Sequence, residues 1–587
     1  MKAKYILSLL AVSAVVLFGS CSDFFDQDSD HVQYTDDYRL HEPGDTIYAL
    51  TGIMNKMQAL GDRTVLLGEL RGDLVDLTST ASADLRQIAD FAVTDSNSYN
   101  SPKDYYAVIN NCNLYIARCD TAVKNNRNEY LFKREYAAVK AYRAWTYLQL
   151  VLNYGKVPFI TTPITTEEQA NAQYEYKDIQ GICEYFISDL RPLIDVEMPG
   201  LGTIGSVDSR MLYFPISILL GDLELWSGQY KQAALDYYHF LATGNGYNSY
   251  MPIGAYSCMW SNPNWSTISR SYFSWSSESY NSSRELITMI AGDSIQSQGN
   301  YSQLRHLFNS SSENDYQVSI VPSTGLLSLS QSQKYCYIDV SQGSKATPVI
   351  APNDLSNDLA GDLRLPMTWS SVQTQHNSKT ISYQTISKFA TRNIHIYRRA
   401  MVYLRMAEAL NRAGYPRFAY EILSKGVNNE IIQDSIMPHY PTKADSTYLA
   451  QFNFPSSSST GYIVRSVTGG TYNTIGIHSR GCGWSDFNPY YRFPDSEQKD
   501  AADSLNYEIE KVEDMIVDEN ALECCFEGTR FYDLMRVALR RNDPAYLADR
   551  VYARRGKANV GTMKGLIRKD LYNKNNWYLS FKGKIGL

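Results

Sequence analysis

The sequence predicts a mainly α-helical protein in which helix–turn–helix pairs form a scaffold carrying long irregular, aromatic-rich insertions. Three observations carry that reading. Apolar residues recur at a 3.6-residue period between Tyr105 and Val123 (Val108, Ile109, Cys112, Tyr115, Ile116, Cys119) and again over 134–152 (Ala138, Ala141, Tyr142, Trp145, Leu148, Leu152). Two later segments repeat one helix–tight turn–helix pattern. Two long stretches, 245–385 and 430–504, lose the helical period and fill with Ser, Asn, Gly and aromatic residues.

The chain opens with Lys2 and Lys4, an apolar run from Ile6 to Phe18, and Gly19-Ser20 ahead of Cys21. That is the layout of a secretory signal, too short and wrongly flanked for a membrane span. A cysteine directly after the small residues is what lipid attachment to a bacterial lipoprotein needs. We expect residues 1–20 to be a signal peptide and Cys21 to carry lipid, leaving the protein tethered to a membrane and not embedded in it. Residues 21–40 are acidic (Asp23, Asp26, Asp28, Asp30, Asp36, Asp37) and read as the tether.

Residues 41–244 read as the first part of the scaffold. The helix over 134–152 stops at Asn153-Tyr154-Gly155, with Pro158 just beyond. The connector 124–133 is short, so this helix and its predecessor are expected to pack antiparallel. Leu212–Trp226, a turn holding Gly228, and Lys231–Leu241 form one helix pair, with Ala233 and Ala234 where helices must approach. Residues 386–429 hold the second pair: Met401–Arg412, Gly414 at the turn, and Arg417–Ser424 with Ala419 matching Ala233. Glycine at the turn and small residues at the crossing are what tetratricopeptide pairs require. With a further helix expected at 507–540, inside the C-terminal segment 505–587, the pairs suggest a right-handed helical scaffold. Long loops such as 245–385 and 430–504 are usually functional, and we read them as insertions decorating that scaffold. Within the first, Tyr335–Val340 looks like a strand.

Composition excludes several classes. A chain of 587 residues with 44% hydrophobic and 20% charged residues is globular. A net charge of −7 without a basic stripe argues against nucleic-acid binding. After Phe18 no apolar stretch is long enough to cross a bilayer. Nine cysteines appear without a CxxC or a regular framework, and Cys112 and Cys119 lie in a helical stripe, so they read as small packing residues. The 46 tyrosines suit packed helix interfaces and wet recognition surfaces alike.

Three stretches resemble one family. Arg134-Glu135-Tyr136 through Tyr154-Gly155-Lys156-Val157-Pro158 is similar to a helix ending in Gly-x-Val-Pro in the SusD/RagB proteins, surface lipoproteins of Bacteroidetes that capture nutrients. Tyr397-Arg398-Arg399 to Ala407-Glu408-Ala409-Leu410-Asn411 resembles that family's Arg-…-Ala-Glu-Ala-Leu-Asn helix. Glu523-Cys524-Cys525-Phe526-Glu527-Gly528-Thr529-Arg530-Phe531-Tyr532-Asp533-Leu534 resembles its C-terminal signature. Gly68-Glu69-Leu70-Arg71 and Asn110-Asn111-Cys112-Asn113 are weaker echoes. The resemblance implies a SusD-like, tetratricopeptide-containing fold with an irregular ligand-facing portion. It also implies a non-catalytic role at the outer membrane, as the lid of a SusC-like TonB-dependent β-barrel transporter. The motif helices themselves read as structural, and Glu527 and Arg530 are expected to share a helix face and pair.

The search for chemistry is negative. There is no HExxH, GxSxG, P-loop or GxGxxG, and the eight histidines are isolated, so no metal or other cofactor is expected. The Asp354…Asp358…Asp362 spacing lacks the glycine-centred alternation of a calcium loop and reads as a solvated loop. Carboxylates are plentiful, and two well-placed ones suffice for a glycosidase, so sequence does not exclude hydrolysis; no enzyme is indicated.

A binding signal is present. Tyr256, Trp260, Trp265, Tyr272, Phe273, Trp275 and Tyr280 lie among serines and asparagines. Sugar rings have apolar C–H faces and equatorial hydroxyls, so flat aromatics flanked by amides and hydroxyls suit them. Trp275 and Tyr280 are the leading candidates, followed by Trp265 and Tyr272; packing on the scaffold is the other reading of Trp260 and Trp265. Arg71 and Asp73 either join that site or form a scaffold salt bridge. Trp484, Tyr490 and Tyr491 form the next aromatic group. The expected ligand is a glycan or oligosaccharide, with peptide capture as the alternative.

Overall fold

The computed structural model describes residues 40, 43–204, 207–244, 257–260, 268–271, 285–292, 301–339, 347–351, 361–376, 378–454, 466–468, 471–473, 476–495 and 500–581. The N-terminal helix α1 (Pro43–Glu69) leads into α2 (Pro102–Arg118) and α3 (Lys133–Tyr154). These last two are antiparallel, as the short connector requires. Tyr105, at the start of α2, meets Tyr154, at the end of α3, edge-on with ring centroids 6.4 Å apart. The α2 stripe ends earlier than its periodicity suggests, because Cys119 turns extended and bridges to Leu40. Gly155, at φ 75°, closes α3 where the glycine signal placed it. Then come α4 (Ile179–Leu190), capped by the Asp178 side chain accepting from the Gly181 N–H, and the pair α5 (Ile216–Ser227) and α6 (Tyr230–Thr243).

Between that pair and the next, several segments of the 245–385 stretch enter regular structure. A hairpin, β1 (Ser257–Trp260) with β2 (Ile268–Ser271), comes first. Then β3 (Leu286–Ile290) runs wholly buried. Its run Leu-Ile-Thr-Met-Ile, apolar except for Thr288, suits a strand covered on both faces. Two further hairpins follow: β4 (Tyr335–Asp339) with β5 (Thr347–Ala351), and β6 (Trp369–His376) with β7 (Lys379–Ile386). The strand β8 (Ile394–Arg398) pairs antiparallel with β3 and runs straight into α7 (Arg399–Arg412), which turns through Gly414 into α8 (Pro416–Ser424).

The C-terminal helix expected as one piece over 507–540 is two, α9 (Ala501–Cys524) and α10 (Arg530–Arg540). Phe526 at φ 71° and Gly528 at φ 84° break it. The break also corrects the expected Glu527–Arg530 pair. Glu527 instead accepts from Arg398 Nε (2.6 Å) and pairs with Lys388, while Arg530 grips Asp73. Gly68 explains why the loop must bend there: a Cβ on it would stand 1.7 Å from the Gly528 carbonyl oxygen, so α1 and the loop meet backbone to backbone.

Successive helices pack on one another from α2 to α8, and α9 lies across both α7 and α8. The covering buries charge. Arg398 reaches Glu285 (3.1 Å) and Glu523 (2.8 Å), Arg480 reaches the same two carboxylates, and Arg364 joins Asp362 to Glu523. Asp362, read from its spacing as part of a solvated loop, has a fully buried carboxylate held by Arg364; Asp354 and Asp358 lie outside the described residues. Such pairs contribute little net stability against apolar substitutes, but removing one partner leaves a buried charge bare. Among the described residues no helix is long and apolar enough to cross a membrane.

Candidate functional site

Of the residues predicted to bind ligand, Trp265, Tyr272, Trp275 and Tyr280 lie outside the described residues, as does Cys21. Arg71 and Asp73 are described, and both sit in the scaffold. Arg71 is 1% exposed; its guanidinium donates to the Leu67 and Trp577 carbonyls, the Asn153 side chain and the Tyr532 hydroxyl, 4.1 Å above the Phe531 ring. Asp73 accepts two hydrogen bonds from Arg530, at 2.5 and 2.9 Å. Asp73 thus forms a scaffold salt bridge to Arg530 of α10, while Arg71 is held by neutral acceptors.

The described parts of the two insertions meet. Strand β1 packs against the short helix Ser479–Cys482, and β2 against the helix Arg364–Thr368. Cys336 in β4 bridges to Gly483, and its carbonyl accepts from the Trp484 N–H at 2.9 Å. The described strands of the first insertion are thereby joined to the second insertion at 479–484, some two hundred positions later in the chain.

Tyr490 is 60% exposed, with the Lys334 ammonium 5.7 Å from its ring centroid. Asn488 fixes the geometry: its amide donates to the Lys334 carbonyl (2.7 Å) and its oxygen accepts from the Tyr490 N–H (3.0 Å). Trp484 is half-buried and packs with Phe487 over Cys336 and Ile350. Tyr491 turns inward and stacks on His478 at 3.6 Å, and burial pushes its hydroxyl well above the usual tyrosine range. Of the three aromatics in this group, Tyr490 is the one presented to solvent. Lys334 and Asn488 were not singled out in the sequence; the turn dipeptide Asn488-Pro489 beside two tyrosines was the available signal.

Within the first insertion, just before β3, the chain is anchored to the scaffold at Glu285. This side chain is 6% exposed, is held by Arg398 and Arg480, and its own carbonyl accepts from the Arg399 N–H at 2.9 Å. Burial acts to raise its pKa, but Arg480 and Arg398 hold the carboxyl below its ordinary range. This anchor within the insertion is therefore a charged one. Asn488 is itself 1% exposed and both ends of its amide are taken, so what this surface presents is the Tyr490 ring with the Lys334 ammonium near it. Among the described residues no group of three or more His, Cys, Asp and Glu is arranged for a metal ion.

No family model and no curated protein sequence matches the chain. Solved structures do match its fold. A SusD superfamily protein from Bacteroides vulgatus ATCC 8482 aligns with a TM-score of 0.55 at 15% identity, over 92% of this chain and 96% of that one. A SusD-like carbohydrate binding protein from Bacteroides fragilis NCTC 9343 aligns with a TM-score of 0.50 at 13% identity, over 86% of this chain and 88% of that one. The chain thus has the SusD-like fold, a mainly α-helical scaffold of tetratricopeptide-like helix pairs.

Proposed function

We propose that this protein is a non-catalytic surface lipoprotein that captures a glycan and delivers it to a TonB-dependent outer-membrane transporter. The observation that carries the reading is the junction of the two aromatic-rich insertions on a SusD-like scaffold, β1 against 479–482 and Cys336 against Gly483, with the exposed Tyr490 ring near Lys334. Aromatic rings offer flat apolar surfaces for sugar C–H faces, while amides and hydroxyls match the ring hydroxyls. Trp275 and Tyr280 of the first insertion provide the stacking surfaces, and Trp265 and Tyr272 extend them. The carbohydrate-binding description of a fold neighbour agrees with this ligand class.

In this account Cys21 carries the lipid, the acidic 21–40 segment is the tether, and the outer membrane holds the protein facing the cell exterior. The SusC-like barrel beneath it is the partner. Metabolic labelling with palmitate, followed by purification in gentle detergent, tests both links. The wild type should take up label and bring down a large barrel in near-equal amount, and Cys21→Ala should take up none. Equal label in both proteins, or recovery of the lipoprotein alone, contradicts the account. A calorimetric screen in which peptides bind and oligosaccharides do not would assign the same scaffold to peptide capture.

A further inference from the structure

A cleft of about 60 Å³ opens where α3, α5, α7 and α10 meet the loop before α10. Its polar groups are incompletely paired. Asp533 is 5% exposed; Oδ1 accepts from Arg536 at 2.8 Å, while Oδ2 has no partner among the described residues. Trp145, Trp226, Gln149 and Thr529 line the same cleft, and their side-chain N–H and O–H groups make no hydrogen bond among the described residues. A buried acceptor left unmade costs about 1–3 kcal/mol, so a bound molecule that completes this set would be favoured.

The charges around the cleft select the class of molecule. Asp222 is neutralised by Arg405 at 2.7 Å and accepts from the Tyr237 and Tyr397 hydroxyls at 2.6 Å. Arg536 is occupied by Glu408 and by Asp533, and lies over the Trp226 ring at 5.2 Å. An ammonium would satisfy Asp533 Oδ2 but would face two guanidinium groups and leave both indoles without an acceptor. An anion would accept from the indoles but would meet the Asp533 carboxylate. Adjacent hydroxyls meet both demands, because each one donates and accepts.

We propose that this cleft is a second binding site, for the neutral vicinal-diol end of a sugar or polyol. Asp533 Oδ2 accepts from one hydroxyl, and the indole N–H groups donate to its neighbour. The volume admits the diol, with the remainder of the molecule at the mouth beside the half-buried Trp226, Gln149 and Thr529. The site lies on the helical scaffold and stands apart from the insertion surface, so either can fail without the other.

Saturation-transfer NMR and calorimetry on the whole mature protein test it with xylitol, methyl α-D-glucoside, methyl α-D-mannoside and methyl β-D-galactoside. Methylammonium and acetate serve as charged probes. At least one neutral probe should bind in the millimolar range and lose about tenfold in affinity in Asp533→Asn and in Thr529→Val, at unchanged unfolding temperature. Trp275→Ala with Tyr280→Ala should leave that binding intact. Xylitol binding alone would assign the site to polyols, and glycoside binding to sugar ends. If Asp533→Asn does not fold, Thr529→Val and Gln149→Leu, both at the mouth, decide. No binding by any neutral probe, binding untouched by the cleft variants, or preference for a charged probe would overturn the proposal.

Discussion

The helix pairs α5–α6 and α7–α8 share a plan and differ in what covers them. Both turn through a left-handed glycine, Gly228 at φ 83° and Gly414 at φ 97°, and both bury an alanine completely at the crossing, Ala233 and Ala419. Beyond that they diverge. Helix α6 keeps a solvent edge at Lys231 and Gln232, as an amphipathic helix should. Helix α7 is buried around nearly its whole circumference, yet it carries Arg399, Glu408 and Arg412 at 3%, 3% and 9% exposure. The cover is α9, which arrives from nearly a hundred positions later. Charged residues at helical spacing therefore mark a solvated face only when no distant element lies across it.

The largest test of that difference is Glu408→Ala. It strips Arg412 and Arg536, each 2.6 Å away, of a shared carboxylate in the interior. Loss of about 3–5 kcal/mol in urea denaturation is expected. A loss below about 1 kcal/mol would mean that the network is solvated after all.

The pH dependence sharpens the comparison, because two buried glutamates shift in opposite directions. Burial acts to raise both. In Glu408 it is overcome by Arg412 and Arg536, which bring the carboxyl from 4.5 to about 2. In Glu69 burial wins: Oε1 accepts from the Gly528 N–H at 2.8 Å, Oε2 has no partner among the described residues, and the pKa rises from 4.5 to about 7. The stability Glu408 contributes is present above pH 4.5 and is lost as pH falls toward 2. Glu69 behaves oppositely: the folded state keeps a proton that the unfolded chain releases, so stability falls as pH rises from 4.5 through 7. Glu69→Gln should accordingly stabilise by roughly 3 kcal/mol above that window and leave stability unchanged below it. Urea denaturation on either side of the window checks the sign, and equal effects at both ends would reject it.

The smallest effect tests what the pairs have in common. An added Cβ meets nothing closer than the Tyr230 hydroxyl at 4.0 Å in Gly228→Ala, and nothing within 4 Å in Gly414→Ala. Only backbone strain remains, so each change should cost about 1–2 kcal/mol, and the two losses should match in thermal melts. A clear inequality would show that the turns are not equivalent.

Much of this scaffold was legible because helix pairs announce themselves locally. The stripes of α2 and α3, the glycine turns and the Gly155 stop are all short-range signals. The break between α9 and α10 was not legible, since it depends on Gly68 lying against Gly528 across most of the chain. The same holds for Arg71 and Asp73, whose partners Asn153, Trp577 and Arg530 are distant in sequence. The meeting of the two insertions through Cys336 and Gly483 is likewise a tertiary fact. Strand β3, hidden in a segment read as irregular, was visible only as a short run, apolar except for Thr288 and without alternation, which does not distinguish strand from buried helix.

Glycan capture by the aromatic insertion is the central claim, and calorimetric titration of the cognate oligosaccharide against the mature protein and its Trp275→Ala, Tyr280→Ala double variant tests it most directly. Truncating central stacking aromatics should weaken binding by about 2 kcal/mol or more, roughly thirtyfold, while the unfolding temperature stays that of the wild type. If the two rings instead pack on the scaffold, the melting temperature drops first, by a stability loss on the order of 3–5 kcal/mol. Unaltered affinity in a stably folded double variant would contradict the account.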